Sequence, residues 1–239
     1  MARLEFHGVT VQYPVYDARA KSLRRRLASI PTGGRLEREA SGVQMVTALR
    51  DVSFAFGDGD AVGLVGHNGA GKSTLLRTMA GVYRPMAGRV LREGRTATVF
   101  ELGAGMDPEL NGYENIQRMG LLLGLRQDEV RARMADIEAF TQLGAFLNLP
   151  VRTYSAGMTT RLMFAVATAT SPEILLLDEI VGAGDAEFQE RAARRMAALI
   201  ASVRIFVFAS HDTRVLRRYC RRFLRLEHGQ AREIAASEL

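Results

Sequence analysis

The sequence predicts an α/β protein built on a parallel sheet, and three stretches carry the prediction. AVGLV (61–65) is an apolar run that ends in the glycine loop GHNGAGKS and passes at once into TLLRTMAGVY. Strand, glycine loop and helix in that order form one parallel unit. ILLLDE (174–179) and RIFVFASHD (204–212) are two further short apolar runs, each flanked by helical pattern, as strands buried on both faces require.

The remaining elements follow in chain order. LEFHGVTV (4–11) alternates and reads as a strand, after which the pattern breaks at QYPVYD. ARAKSLRRRLASI has the spacing of a short basic helix, PTGGRLEREASG is a linker, and a second strand lies around VTALRDVSFAF. Beyond the glycine-loop unit, NIQRMGLLLGL and QDEVRARMADIEAFTQL carry apolar residues three and four apart and predict helices. TYSAGMTTRL opens another helical run, through Leu162, Phe164, Ala165 and Ala167, with Ser155 as its N-cap. The tail FLRLEHGQAREI reads as a closing hairpin with Gly229 in its turn. No internal repeat or low-complexity segment interrupts the chain.

Composition narrows the function classes. The chain has 239 residues, 47% hydrophobic and 24% charged, enough for a sizeable core. No apolar run reaches membrane-spanning length, and MARLEFHGVT lacks the apolar stretch of a secretory leader, so a cytoplasmic protein is expected. One cysteine, Cys220 in RRYCRRFLR, excludes an internal disulfide framework and reads as a half-buried structural thiol rather than a nucleophile. The net charge of +6 suits nucleic acid, an anionic membrane surface or an acidic protein partner, and composition does not choose among them. Nearly all of the positive charge is arginine, the lysines being Lys21 and Lys72. A lysine so sparingly used raises the question of why arginine would not serve.

The glycine loop answers it. Gly66, His67, Asn68, Gly69, Ala70, Gly71, Lys72 and Ser73 fit G-x-x-x-x-G-K-[ST], after a strand and before a helix. Glycines let the backbone wrap phosphates with its N–H groups pointing inward, Lys72 reaches their oxygens as a compact point charge, and Ser73 is placed for a magnesium ion. Asp178 and Glu179 end the strand ILLLDE. Such a pair is often only a strand end; beside a phosphate loop, Asp178 can support the metal while Glu179 polarises the attacking water. His211 follows IFVFAS at a strand end. It is either a packing residue or, at the carboxyl edge of the sheet, a hydrogen-bond partner for a γ-phosphate. The helix start at Ser155, Ala156 and Gly157 also attracts phosphate, and a second cradle in one chain needs a reason.

Lys72 in its loop, SAGM, LLLDE and His211, in this order and at these spacings, resemble the ATPase subunit of ABC transporters from Leu4 to about Glu227. The resemblance implies a P-loop NTPase of the ABC ATPase type: a RecA-like parallel-sheet core, an N-terminal antiparallel β subdomain and a helical subdomain. On that pattern residues 1–239 form a single domain. Core and β subdomain cover about 1–100 and 172–239, the helical subdomain about 106–170, and a basic insertion 17–45. Implied cofactors are ATP and Mg²⁺, held by the loop through Thr74, with Ser73, Asp178 and Glu101 toward the metal. Glu179 is implied as general base and His211 as γ-phosphate partner. In the family two subunits pack head to tail, so Ser155 and Gly157 act on the nucleotide of the other copy, and Asp185 in VGAGDAEF matches the aspartate that links the two sites. An aromatic residue after the first strand stacks on adenine; Tyr13 fits, with Tyr16 as competitor. Glu101, at the end of TATVFE, stands where the family generally has glutamine, and it adds a negative charge at that position.

The segment ELGAG with P-E-L-x-G-x-E-N after it, and the Y-S-x-G-M spelling, resemble a narrower branch that exports O-antigen, capsular and teichoic-acid polysaccharides. This implies a homodimer, a separate integral-membrane permease, a lipid-linked glycan as cargo, and a peripheral location on the cytoplasmic face of the inner membrane. With the chain ending at Leu239, cargo choice is expected to rest with the permease or the lipid carrier. The basic helix around Arg24, Arg25 and Arg26 is either a solvated surface helix or a face toward anionic headgroups or the pyrophosphate of a lipid-linked glycan. Two rival readings are an importer ATPase and a soluble ATPase of the same fold acting on ribosomes or DNA. The second would suit the charge but lacks the tandem cassettes or coiled coils of such relatives, and no nucleic-acid partner is expected.

Overall fold

The computed structural model describes residues 1–15, 36–38, 44–99, 103, 105–178 and 185–239. Most of the predicted basic insertion, together with Tyr16, Glu101 and Glu179, lies outside the described residues. The first elements are β1 (Arg3–Val15), β2 (Leu36–Arg38), β3 (Gln44–Gly57), β4 (Ala61–Val65), α1 (Lys72–Ala80), β5 (Ala87–Glu93) and β6 (Thr96–Thr98). Then come α2 (Gly112–Leu122), α3 (Gln127–Thr141), α4 (Ala156–Thr168), β7 (Ile174–Asp178) and α5 (Ala186–Ser202). The chain closes with β8 (Ile205–Ala209), α6 (Thr213–Tyr219), β9 (Arg222–Glu227) and β10 (Gln230–Ile234). These elements divide into two compact units, Met1–Gly94 with Arg204–Leu239, and Arg95–Val203.

The first unit holds an antiparallel sheet in the order β2-β3-β1-β5. Alternation buries Leu4 and Phe6, then Val9 and Val11, so the buried phase moves from even to odd positions. The register on β3 shifts between Phe6 and Val9, and this bulge keeps both pairs of apolar side chains on the core face. Beside it, β4 is flanked by two parallel partners: Leu64 lies opposite Ala209 of β8 and opposite Leu224 of β9. β4 and β8 are buried almost throughout, which explains why both read as unbroken apolar runs. The predicted closing hairpin is β9 and β10, with His228 and Gly229 at positive φ in the turn.

In the second unit β6 and β7 pair in parallel, and the Val99 N–H extends the ladder to the Leu176 carbonyl at 3.0 Å. The helices α2, α3 and α4 pack around Ile116, Ile137, Leu147 and Leu162, all buried. P-E-L-x-G-x-E-N turns out to be the start of α2. Asn111 Oδ1 accepts the Glu114 amide at 2.9 Å while Glu114 Oε2 accepts the Asn111 amide at 2.8 Å, a capping box. Buried Asn115 then donates to the carbonyls of Asp107, Leu110 and Asn111, each at 3.0 Å, pinning the approach to the helix. The helix expected to run on to Leu125 stops at Leu122. The Gly124 and Leu125 amides bond back to Leu121 and Gly120, each at 3.0 Å, which closes the last turn and ends the helical ladder.

No described helix is long and apolar enough to cross a membrane. Cys220 is buried outright rather than half-buried, and burial pushes its thiol up to about 12, so the inert, structural reading holds.

Candidate functional site

The loop between β4 and α1 carries the chemistry of the first unit. Gly66 has φ 151°, and a Cβ there would meet the Leu226 carbonyl oxygen at 2.4 Å; Gly71 has φ 110°, and its Cβ would meet the Ala48 carbonyl oxygen at 2.8 Å. The loop is thus wedged between β9 and β3, so close that only glycine fits at either point. Lys72 is buried and its Nζ lies on the inside of the loop, donating to the Gly66 carbonyl at 2.5 Å and the His67 carbonyl at 3.2 Å. The N-cap of α1 is Gly71, which offers no side chain to the first-turn amides, and exposed Ser73 stands on that turn. Unpaired first-turn amides at the positive end of a helix, with an ammonium in the loop before them, are groups of the kind that attract anions. His67, Asn68 and Gly69 form the exposed outer arc, while Ala70 anchors it in the core. The His67 Nδ1 donates to the Asn68 carbonyl at 2.8 Å, and its ring lies 5.8 Å from that of His228 in the β9–β10 turn.

Two more predicted residues belong to the same unit. Because β8 runs parallel to β4 with Leu64 opposite Ala209, Ser210 and His211 emerge at the same sheet edge as Gly66, and His211 is exposed. The next residue, Asp212, caps α6 by accepting the Arg214 amide at 2.9 Å. Tyr13 stands on β1 opposite Val46, 41% exposed, with its ring 6.5 Å from that of Tyr83.

The second unit gathers Ser155, Gly157 and Asp185 around one hollow of about 300 Å³, shared with Gln142, Phe146 and Arg161 among others. Ser155 caps α4 as predicted, its Oγ accepting the Met158 amide at 3.2 Å. At Gly157 nothing fills the space of a Cβ; the nearest atom is Ser155 Oγ at 3.9 Å. Asp185 caps α5, accepting the Phe188 amide at 2.8 Å, and its other oxygen pairs with the Arg161 guanidinium. The Phe188 amide and Arg161 hold the Asp185 carboxyl below its ordinary value.

Arg161 is the residue that sequence reading passed over. Its guanidinium lies 5.4 Å from the Phe188 ring centre and ties α4 to the start of α5. The available sign was its isolation: it is the one charged residue in AGMTTRLMFAVAT, and a charge in so apolar a helix requires a partner. Asp178 ends β7, half-buried. A carboxylate here, and a hydroxyl at Ser73, are oxygen donors of the kind that magnesium takes. Glu101 and Glu179 lie outside the described residues.

Comparison with known proteins places these features. A family model for ABC transporters matches residues 49–182. The O-antigen export system ATP-binding protein RfbE of Yersinia enterocolitica is 58% identical over 229 residues, which is 96% of this chain and 96% of that one. The teichoic acids export ATP-binding protein TagH of Listeria monocytogenes serotype 4b is 33% identical over 236 residues, 99% of this chain and 68% of its own. Among solved structures, a dimeric ATP-binding cassette in a post-hydrolysis state, bound to ADP and Pi, matches with a TM-score of 0.67 at 21% identity, covering 98% of each chain. At that identity the likeness concerns the fold. The family match takes in the phosphate loop, the Ser155 cap and Asp178, and similarity at 58% runs along nearly the whole length: the chain belongs to the ABC transporter family.

Proposed function

We propose that this chain is the ATP-hydrolysing subunit of an exporter for a lipid-linked polysaccharide of the O-antigen, capsule or teichoic-acid type. It works as a homodimer, through a separate permease, at the cytoplasmic face of the inner membrane. The observation that carries the chemistry is the presence of two phosphate-seeking helix starts in one chain: α1 behind Lys72, and α4 behind Ser155. The first lies in a closed loop and the second opens on a hollow. Two copies packed head to tail use both, each closing its α4 start on the nucleotide in the other's loop. The cargo reading is supported by the similarity to the O-antigen and teichoic-acid export proteins.

Within one composite site the division of labour follows from the groups available. Gly66 to Thr74 wrap the phosphates with amides, and Lys72 neutralises charge between them. Ser155 Oγ already accepts an amide, which leaves its own O–H to donate to a γ-phosphate oxygen, while Gly157 lets the backbone come close. Glu179 takes the proton of the attacking water and His211 donates to the γ-phosphate. Ser73 and Asp178, with Glu101, would hold magnesium, whose charge offsets that developing on the phosphates. Asp185 stays ionised at neutral pH, a fixed negative group at the edge of the hollow. Tyr13, or Tyr16 in its place, stacks on the base.

Reconstitution with the neighbouring permease in vesicles tests the proposal. Lipid-linked polysaccharide should stimulate ATP hydrolysis; stimulation by a small peptide or drug, with none by the glycan, would move the protein to another transport role.

A further inference from the structure

One aromatic contact to the base does not exhaust what the first unit offers. Tyr13 lies opposite Val46, three residues along β3 from Leu49, whose side chain comes within 3.3 Å of the Cβ position of Gly71. At a strand rise of about 3.3 Å per residue, this puts Tyr13 about 10 Å from the phosphate loop, within the reach of a nucleoside triphosphate from phosphates to base. A second ring arrives from α1. Past Ala80 the amides of Val82 and Tyr83 bond back to the Arg77 carbonyl at 2.9 and 3.3 Å, and the Met86 amide bonds to the Thr10 carbonyl at 2.8 Å. These bonds fold Tyr83 back beside β1 and tie its loop there.

The spacing of the two rings is the telling quantity. Stacked pairs in the same sheet, Phe6 with Phe54 and Phe54 with Phe56, have centroids 4.5 and 4.4 Å apart. Tyr13 and Tyr83 are 6.5 Å apart and tilted by 36°, and both are open to solvent, at 41% and 36%. Two stacking distances of about 3.5 Å make about 7 Å, so a slight parting of the pair admits one flat ring. The Arg77 guanidinium lies over the Tyr83 ring, 6.0 Å from its centroid, a contact that holds the ring in place.

We infer that Tyr83, held by Arg77, is the second wall of a slot for the nucleotide base, facing Tyr13, so that Tyr83 sets affinity for ATP. This rests on the reading of the glycine loop as an ATP site. Because stacking uses the face of the ring, any purine fits, and the slot discriminates nucleotide from bare polyphosphate rather than adenine from guanine.

The test is titration of the full-length protein with ATP and with inorganic tripolyphosphate. Tyr83→Ala should raise the Kd for ATP about tenfold and leave that for tripolyphosphate unchanged; Tyr83→Leu should follow it, and Tyr83→Phe should restore binding. Wild-type ATP affinity in Tyr83→Ala, with a loss in Tyr13→Ala, overturns the slot and leaves the ATP site standing. Equal weakening toward ATP and tripolyphosphate also overturns it, since that marks a loop disturbed as a whole. Unchanged ATP binding in Lys72→Ala would instead bring down the ATP site on which the slot depends.

Discussion

Gly157→Ala should separate stability from catalysis. The residue is the second of α4 and follows the Ser155 cap, and an added methyl finds only Ser155 Oγ, at 3.9 Å. Its backbone is not among those at positive φ, so alanine is accommodated without strain. Replacing glycine by alanine in a helix stabilises by up to about 1 kcal/mol, which in a chain of this size raises Tm by about 2–4 °C. Activity should move the other way. An amide holds a phosphate oxygen at about 2.9 Å, whereas a methyl carbon keeps its neighbours at about 3.5 Å, so the methyl would hold off a nucleotide presented by a second copy, as proposed, by about half an ångström. Misplacement of that order costs about tenfold or more in rate. Thermal unfolding and steady-state ATPase assays on the same preparation read both signs. Unaltered hydrolysis would refute close approach at Gly157, and a lowered Tm would refute the open space.

Three other changes probe different parts of the account. Gly71→Ala combines strain at φ 110° with a Cβ 2.8 Å from a carbonyl of β3, so it should lower stability by about 2 kcal/mol and weaken ATP binding, measured by denaturant unfolding and nucleotide titration. Native Cys220 should resist iodoacetamide at pH 8, where a thiol held near 12 is scarcely ionised, and react fully once the chain is unfolded, as mass spectrometry would show. The depressed pKa of Asp185, set by the Phe188 amide and Arg161, contributes stability that is present above the ordinary carboxylate value of about 4. That contribution is lost as pH falls through the folded value. Asp185→Asn should therefore melt below wild type at neutral pH, with the gap narrowing as pH falls below the ordinary carboxylate range.

The sequence carried the phosphate loop in full because its chemistry leaves no latitude. The close approach of the Leu226 and Ala48 carbonyls forces glycine at Gly66 and Gly71, and the Gly66 and His67 carbonyls hold the Lys72 ammonium inside the loop. Buried strands such as β4 and β8 were legible for a similar reason, since being covered on both faces removes any polar residue from the run. Where several solutions satisfy the same pattern, less could be read. LEFHGVTV looks like plain alternation, and the bulge that changes its phase leaves only a one-residue slip between Phe6 and Val9. The end of α2 was overrun because Leu123 and Leu125 keep the apolar spacing while the backbone has already turned at Gly124. Ser155 was recognisable as a helix cap, and Asp185 only through the family resemblance. Their meeting around one hollow depends on Arg161, a long-range pairing that no local pattern encodes. P-E-L-x-G-x-E-N served as a mark of kinship, and its physical content, a capping box with a buried asparagine behind it, emerged only from the fold.

We propose that each ATP site is shared between two copies, with Lys72 from one and Ser155 from the other. Mixing two inactive variants, Lys72→Ala and Ser155→Arg, tests it most directly. Half of the randomly paired dimers then hold one intact site, made from the loop of the Ser155→Arg copy and the α4 start of the Lys72→Ala copy. ATP hydrolysis should return to about a quarter of the wild-type rate in the mixture, a consequence of two-fold pairing. Hydrolysis that stays at the level of the separate variants would contradict the shared site.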